Sequence, residues 1–178
     1  CARALLEAGS DRNVAEEDGF TALMIAAQDG REQCVRALLE AGSDPNMAND
    51  GCTALMLATQ RGHEQCVRAL LDARSDPNKA KDDGSTALII AAAFGHDLCA
   101  RALLEAGSDP NKEKDDGSTA LMYAAANGHD LCAHALLEAG SDPFKESNAG
   151  NTALKLAVLY GHNQCALSLL EKMVPSTQ

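Results

Sequence analysis

The chain has 178 residues, a formal net charge of −11, 46% hydrophobic residues, only 3% aromatic residues and no tryptophan. The hydrophobic share is ordinary for a folded protein and excludes a disordered chain, and the length allows one domain or two very small ones. The acidic balance argues against nucleic acid and anionic membranes as partners and favours a basic surface instead.

Read from the N-terminus, the elements come in units. Leu-Leu begins at Leu5, Leu38, Leu70, Leu103, Leu136 and Leu169, with spacings of 33, 32, 33, 33 and 33. Thr-Ala-Leu begins at Thr21, Thr53, Thr86, Thr119 and Thr152, with spacings of 32, 33, 33 and 33. One residue missing from the Gly42–Gly51 connection explains both values of 32. The chain therefore divides into residues 1–17 as the second half of a unit, five full units starting near 18, 50, 83, 116 and 149, and a tail at 174–178. Self-similarity at this period is the mark of a repeat architecture in one domain.

The unit from Asp83 to Pro110 shows the anatomy. Asp83-Gly84 signals a turn, and Thr86 is placed to cap a helix. Leu88, Ala91 and Ala92 fall at i, i+3 and i+4, giving a short helix with a small-residue face that Gly95 ends. A second helix carries Cys99, Ala102, Leu103 and Ala106 on one face and stops at Gly107. Ser108-Asp109-Pro110-Asn111 then opens a long loop. Such a hairpin cannot bury its apolar face alone and must stack on copies of itself.

These residues resemble an ankyrin repeat. "DGSTALMYAAANGHDLCAHALLEAGSDP" follows the D-G-x-T-P-L-H-x-A-A-x-x-G-H signature, and all five full units match it. The resemblance implies an all-α fold, an α-solenoid of stacked helix-turn-helix repeats joined by β-turn or hairpin loops. The family's Pro is replaced by Ala22, Ala54, Ala87, Ala120 and Ala153, which a first helical position tolerates. Its His is replaced by Met24, Met56, Ile89, Met122 and Lys155, so the hydrogen bonds that His makes to neighbouring loops are lost.

Four His-x-x-Cys pairs raise the question of chemistry: His63/Cys66, His96/Cys99, His129/Cys132 and His162/Cys165. A zinc ion needs ligand atoms within about 4 Å of each other, whereas packed helices stand roughly 8–10 Å apart, so two pairs cannot share one ion. Recurrence once per unit points to packing, with each cysteine as a small core residue of raised pKa and each histidine bonded to the adjacent turn. No catalytic, cofactor or metal residue is expected. Arg3, Arg36, Arg68 and Arg101 stand four residues before Glu7, Glu40, Asp72 and Glu105 and read as surface pairs in the weaker orientation, with Leu167 in the last unit. Leu-x6-Asn recurs at Asn13, Asn46, Asn78 and Asn111, with Phe144 in the last unit. The resemblance implies that such asparagines can be hydroxylated by a dioxygenase, while Asp-Pro-Asn on its own reads as turn chemistry.

The resemblance also implies binding of a partner protein by the loop tips and the inward, concave face of the first helices. Positions that differ between units are the ones free for recognition. Between Gly and Thr stand Phe20, Cys52, Ser85, Ser118 and Asn151. The first helix closes on Gln28-Asp29, Gln60-Arg61, Ala93-Phe94, Ala126-Asn127 and Leu159-Tyr160. Phe20, Phe94 and Tyr160 are three of only five aromatics and are anchor candidates, with Tyr123 beside them. The tips carry Glu17-Asp18, Asp50, Asp82-Asp83 and Asp115-Asp116, more acid than the turns need, which points to a Lys/Arg-rich partner segment.

The expected function is a non-catalytic protein–protein interaction module. The alternative is a regulatory or substrate-targeting domain excised from a larger enzyme or channel, since Cys1 opens in mid-pattern. Ala87–Phe94, the longest apolar run, is far short of the about 20 residues a membrane span needs, so no membrane insertion is expected. Seven cysteines without a secretory signal read as reduced thiols, cytoplasmic or nuclear. A monomer with weak end-to-end association is expected.

Overall fold

The computed structural model describes residues 19–173. The opening half-unit, the Arg3/Glu7 pair, Asn13, Glu17-Asp18 and the tail lie outside these residues.

Five helical hairpins follow one another. They are α1 (Ala22–Gln28) with α2 (Glu32–Glu40), α3 (Ala54–Gln60) with α4 (Glu64–Asp72), and α5 (Ala87–Phe94) with α6 (Asp97–Glu105). Then come α7 (Ala120–Asn127) with α8 (Asp130–Glu138), and α9 (Ala153–Leu159) with α10 (Asn163–Met173). First helices pack on first helices and second on second, giving two parallel rows in a helical solenoid.

Each first helix starts on the threonine the repeat predicts. Thr21, Thr53, Thr86, Thr119 and Thr152 sit in extended backbone, and each hydroxyl accepts the N–H three residues on. Such a cap contributes about 1 kcal/mol. Helices of seven or eight residues are too short to persist alone, so packing must hold them. That packing is dense: Leu23, Leu55, Leu88 and Leu121 are buried, and Ala91, Ala92, Ala124 and Ala125 are fully buried where the rows press together.

Met24, Met56, Ile89 and Met122 are buried too, so apolar contact replaces the hydrogen bonds of a histidine. Lys155 alone restores a polar tie, its Nζ donating to the Gly150 carbonyl at 2.8 Å. Of the second-helix stripe, Cys99, Ala102 and Leu103 are buried, but Ala106 is exposed because the helix has already ended and Ala106 is its C-cap.

The missing residue of the Gly42–Gly51 connection has a local cost. In the longer loop Ala80 bridges Thr86, and Lys81 N–H bonds to the Ser85 carbonyl at 2.9 Å around a turn ending on Gly84. One residue fewer leaves Asp50-Gly51 alone at the tip, both at positive φ, 46° and 72°. That pair is the tight turn a two-residue hairpin demands. It joins β1 (Ala48–Asn49) to β2 (Cys52–Thr53), with Ala48 opposite Thr53 and Asn49 opposite Cys52.

Candidate functional site

The His-x-x-Cys pairs resolve into two structural jobs. His63, His96, His129 and His162 each reach back with Nε2 to a carbonyl closing the first helix of the preceding hairpin: Gln28 at 3.1 Å, Gln60 at 3.1 Å, Ala93 at 3.2 Å and Ala126 at 3.0 Å. A carbonyl only accepts, so Nε2 carries the proton, and the bond satisfies a group that the helix end leaves orphaned. The ring lies against the left-handed glycine of that preceding turn. A Cβ on Gly95 would stand 2.6 Å from Nδ1 of His129.

Cys66, Cys99, Cys132 and Cys165 are buried, while Cys34 is half-buried against the core edge. Burial pushes the Cys99 thiol up to about 11 and the Cys132 and Cys165 thiols up to about 12, and Cys165 also donates to the Asp130 carboxylate at 2.8 Å. Thiols held protonated in this way are poor nucleophiles and poor metal ligands.

The loop asparagines staple neighbours. Asn46, Asn78 and Asn111 each donate Nδ2 to a carbonyl of the next loop, that of Arg74 at 3.2 Å, Gly107 at 3.1 Å and Gly140 at 3.1 Å. Each Oδ1 accepts the N–H of Asp76, Asp109 or Asp142 at 2.7 Å. Phe144 ends this series, exposed where the next asparagine would stand.

The arginine pairing differs from expectation. Arg36 bonds Glu32 at 2.9 Å and Arg68 bonds Glu64 at 2.8 Å, the glutamate four residues earlier, and Arg68 also reaches Glu105 of the next hairpin at 3.1 Å. Glu before Arg is the stronger orientation on a helix, so it wins over the acid at the helix end.

The candidate partner residues separate into held and free. Phe20 and Cys52 are half-buried and pack on the core, so Phe20 is not the exposed anchor expected. Ser85 is buried and donates its hydroxyl and its N–H to Asp83, which removes it from any surface. Ser118 N–H likewise bonds Asp116, and Asn151 N–H bonds the Ser147 hydroxyl. At Ser85, Ser118 and Asn151 the position between Gly and Thr therefore serves its own turn. Lys114 Nζ, 2.9 Å from Asp83, and the Ser85 N–H hold the Asp83 carboxyl down at about 2. The Ser118 N–H lowers Asp116 in the same way.

Asp50, Asp82 and Asp115 remain exposed at the tips. Lys114 also lies 5.7 Å from the ring centre of Tyr123, which, like Ile90 and Leu156 at the same place in the neighbouring first helices, is half-buried against the core. At the ends of the first helices, Gln28 is half-buried, Asp29 pairs with Arg31 at 3.1 Å, and Gln60 and Arg61 are exposed. Asn127 is exposed and donates to the Ala93 and Tyr123 carbonyls. Phe94 is 52% exposed, stacked on His96, and Leu159 and Tyr160 are 70% and 59% exposed. Outside the candidate set, Val158 is 66% exposed beside them, and Leu98 and Leu131 near the start of α6 and α8 are open too. The copies disagree there as well, with Gln33, Gln65 and Gln164 in the other units.

Stacked helical hairpins tied edge to edge define a helical solenoid. The family model for ankyrin repeats in three copies matches residues 1–81, 41–114, 73–146 and 106–177, and the chain belongs to the ankyrin repeat family. A search of curated proteins found no match. Ankyrin repeats serve in general as protein–protein interaction modules, and the family is typically non-catalytic. No helix among the described residues is long and apolar enough to cross a membrane.

Proposed function

We propose that this domain is a non-catalytic module that binds a partner protein across its hairpin tips and first helices. The observation that carries this reading is the exposure of Phe94 and Tyr160, 52% and 59%, at the C-terminal ends of α5 and α9. Ile90 and Tyr123 are half-buried apolar residues of α5 and α7, in the same row of first helices. Asp50, Asp82 and Asp115 favour a Lys/Arg-rich segment, with Lys114 and Lys145 already committed to Asp83 and Glu113. The working unit is a monomer in the cytosol or nucleus, with weak end-to-end association through the exposed Leu167 and Leu170 of the last hairpin.

Pull-down with mass spectrometry, comparing the wild type with Phe94→Ala/Tyr160→Ala and with Asp82→Asn/Asp115→Asn, tests it. Truncating a central aromatic anchor costs about 2 kcal/mol or more, roughly thirtyfold in affinity, so the aromatic variant should lose its specific partner. The acid variant should bind more weakly and with less dependence on salt. A partner set unchanged in both variants sinks the reading.

A further inference from the structure

Exposed apolar residues gather on one edge of the stack. Phe94 and Leu98, each 52% exposed, flank the tight turn between α5 and α6. Leu131, 61% exposed, holds the place of Leu98 one hairpin on, and Val158, Leu159 and Tyr160 close the first helix of the hairpin after that. In the first two hairpins the same places carry Gln28, Asp29 and Gln33, then Gln60, Arg61 and Gln65.

The turns stack in register, because His129 bonds the Ala93 carbonyl and His162 bonds the Ala126 carbonyl. An apolar strip therefore runs along the turn edge of the last three hairpins, interrupted by the exposed Asn127 and Gln164, and stops before the first two. No lysine or arginine occurs in residues 94–100, 127–133 or 158–166, while Asp97 and Asp130 border the strip.

We propose that this strip docks a basic amphipathic helix of a partner protein, laid along the stack axis. Successive hairpins repeat at the packing distance of helices, roughly 8–10 Å, and seven residues of an α-helix rise about 10.5 Å. A helix with apolar residues at i, i+7 and i+14 thus meets one apolar site per hairpin, with those at i+3 or i+4 filling between. Its Lys and Arg face Asp97 and Asp130. A second copy of this chain is disfavoured in that place by the net charge of −11 on each molecule. The inference rests on the partner-binding role proposed above and moves the contact to the turn edge, reaching onto the second helices.

The probe is a synthetic Leu/Lys peptide of about 18 residues, about five helical turns, with leucines at helical spacing. Its control has the same composition with Leu and Lys alternating. Binding is read by fluorescence anisotropy on the wild type, Leu98→Gln/Leu131→Gln and Asp82→Asn/Asp115→Asn. Glutamine already stands at this position in three sister hairpins, so the fold tolerates it. The glutamine variant is expected to lose at least about tenfold in affinity, the control peptide to bind about tenfold more weakly than the probe, and the tip variant to keep its affinity.

Equal binding by the glutamine variant, or equal binding of the alternating control, overturns the proposal. So does light scattering that shows wild-type dimers dissolved by Leu98→Gln/Leu131→Gln, because the occupant is then a second copy. The same two variants in the pull-down separate the readings. A partner lost only through Asp82→Asn/Asp115→Asn removes this inference and leaves the broader function standing, whereas a partner lost through neither these nor the aromatic variant removes both.

Discussion

In the α5–α6 and α7–α8 hairpins the repeated devices have a following neighbour to act on. Gly95 has the His129 ring against it, and Asn111 has the next loop to staple. The α9–α10 hairpin keeps the Thr-Ala-Leu start, the Gly-His turn and the cysteine, but differs at many positions between them. A Cβ on Gly161 would meet nothing within 4 Å, Phe144 stands where the staple would be, and Leu167 stands where the earlier hairpins have Arg36, Arg68, Arg101 and His134. Val158, Leu159 and Tyr160 are left open beside it. The contrast shows that much of what repeats faithfully acts at interfaces between hairpins and has fewer contacts in the last described one.

Core truncation should split the two regions most. Leu103, fully buried in α6, should cost about 3 kcal/mol as Leu103→Ala, against about 1 kcal/mol for half-buried Leu156→Ala. Urea denaturation measures both, and equal losses would break the comparison. A glycine gives the next largest single loss. Gly95→Ala carries about 1–2 kcal/mol of left-handed strain plus about 1 kcal/mol for the displaced His129 bond. Gly161→Ala carries the strain alone, about 1–2 kcal/mol, so the gap between the two variants isolates the histidine.

Staples come third. Asn111→Ala removes two hydrogen bonds to the next loop and should cost about 1–2 kcal/mol, while Phe144→Ala should stay within about 0.5 kcal/mol. The smallest effect is one in which the regions should agree. Cys132 and Cys165 both titrate near 12 in the fold against an ordinary 9.0. A raised thiol pKa means the folded state holds the proton, so this contribution is complete below 9.0 and is lost as pH climbs towards 12. Urea midpoints followed from neutral to alkaline pH should fall in that window, and Cys132→Ala and Cys165→Ala should flatten the fall alike.

The hairpins were legible in the sequence because their causes are local: a threonine that caps, a glycine that turns, alanines at helical spacing. Ties between hairpins were less so. The glutamate partners of Arg36 and Arg68 and the long reach of His96 depend on which neighbour lies close, which spacing along one chain does not state. The candidate surface was legible in part. Variable positions pointed to Phe94 and Tyr160, which are exposed, and equally to Phe20 and Ser85, which are not, because variation marks a packed turn residue as readily as a free one. Leu98 and Leu131 carry the same signal, since their copies are glutamines, but they sit inside the His-x-x-Cys spacing whose regularity points to packing.

The histidine bonds have a mechanical consequence. Each one couples a hairpin only to the hairpin before it, so a tensile load on the stack meets a series of separate latches and no shared keel. Pulled from its last hairpin, such a stack yields one latch at a time. Each step pays out one 33-residue period, a contour length of about 110 Å at some 3.3–3.6 Å per residue. Extension in discrete steps is therefore written into the same Gly-His pair that repeats along the chain.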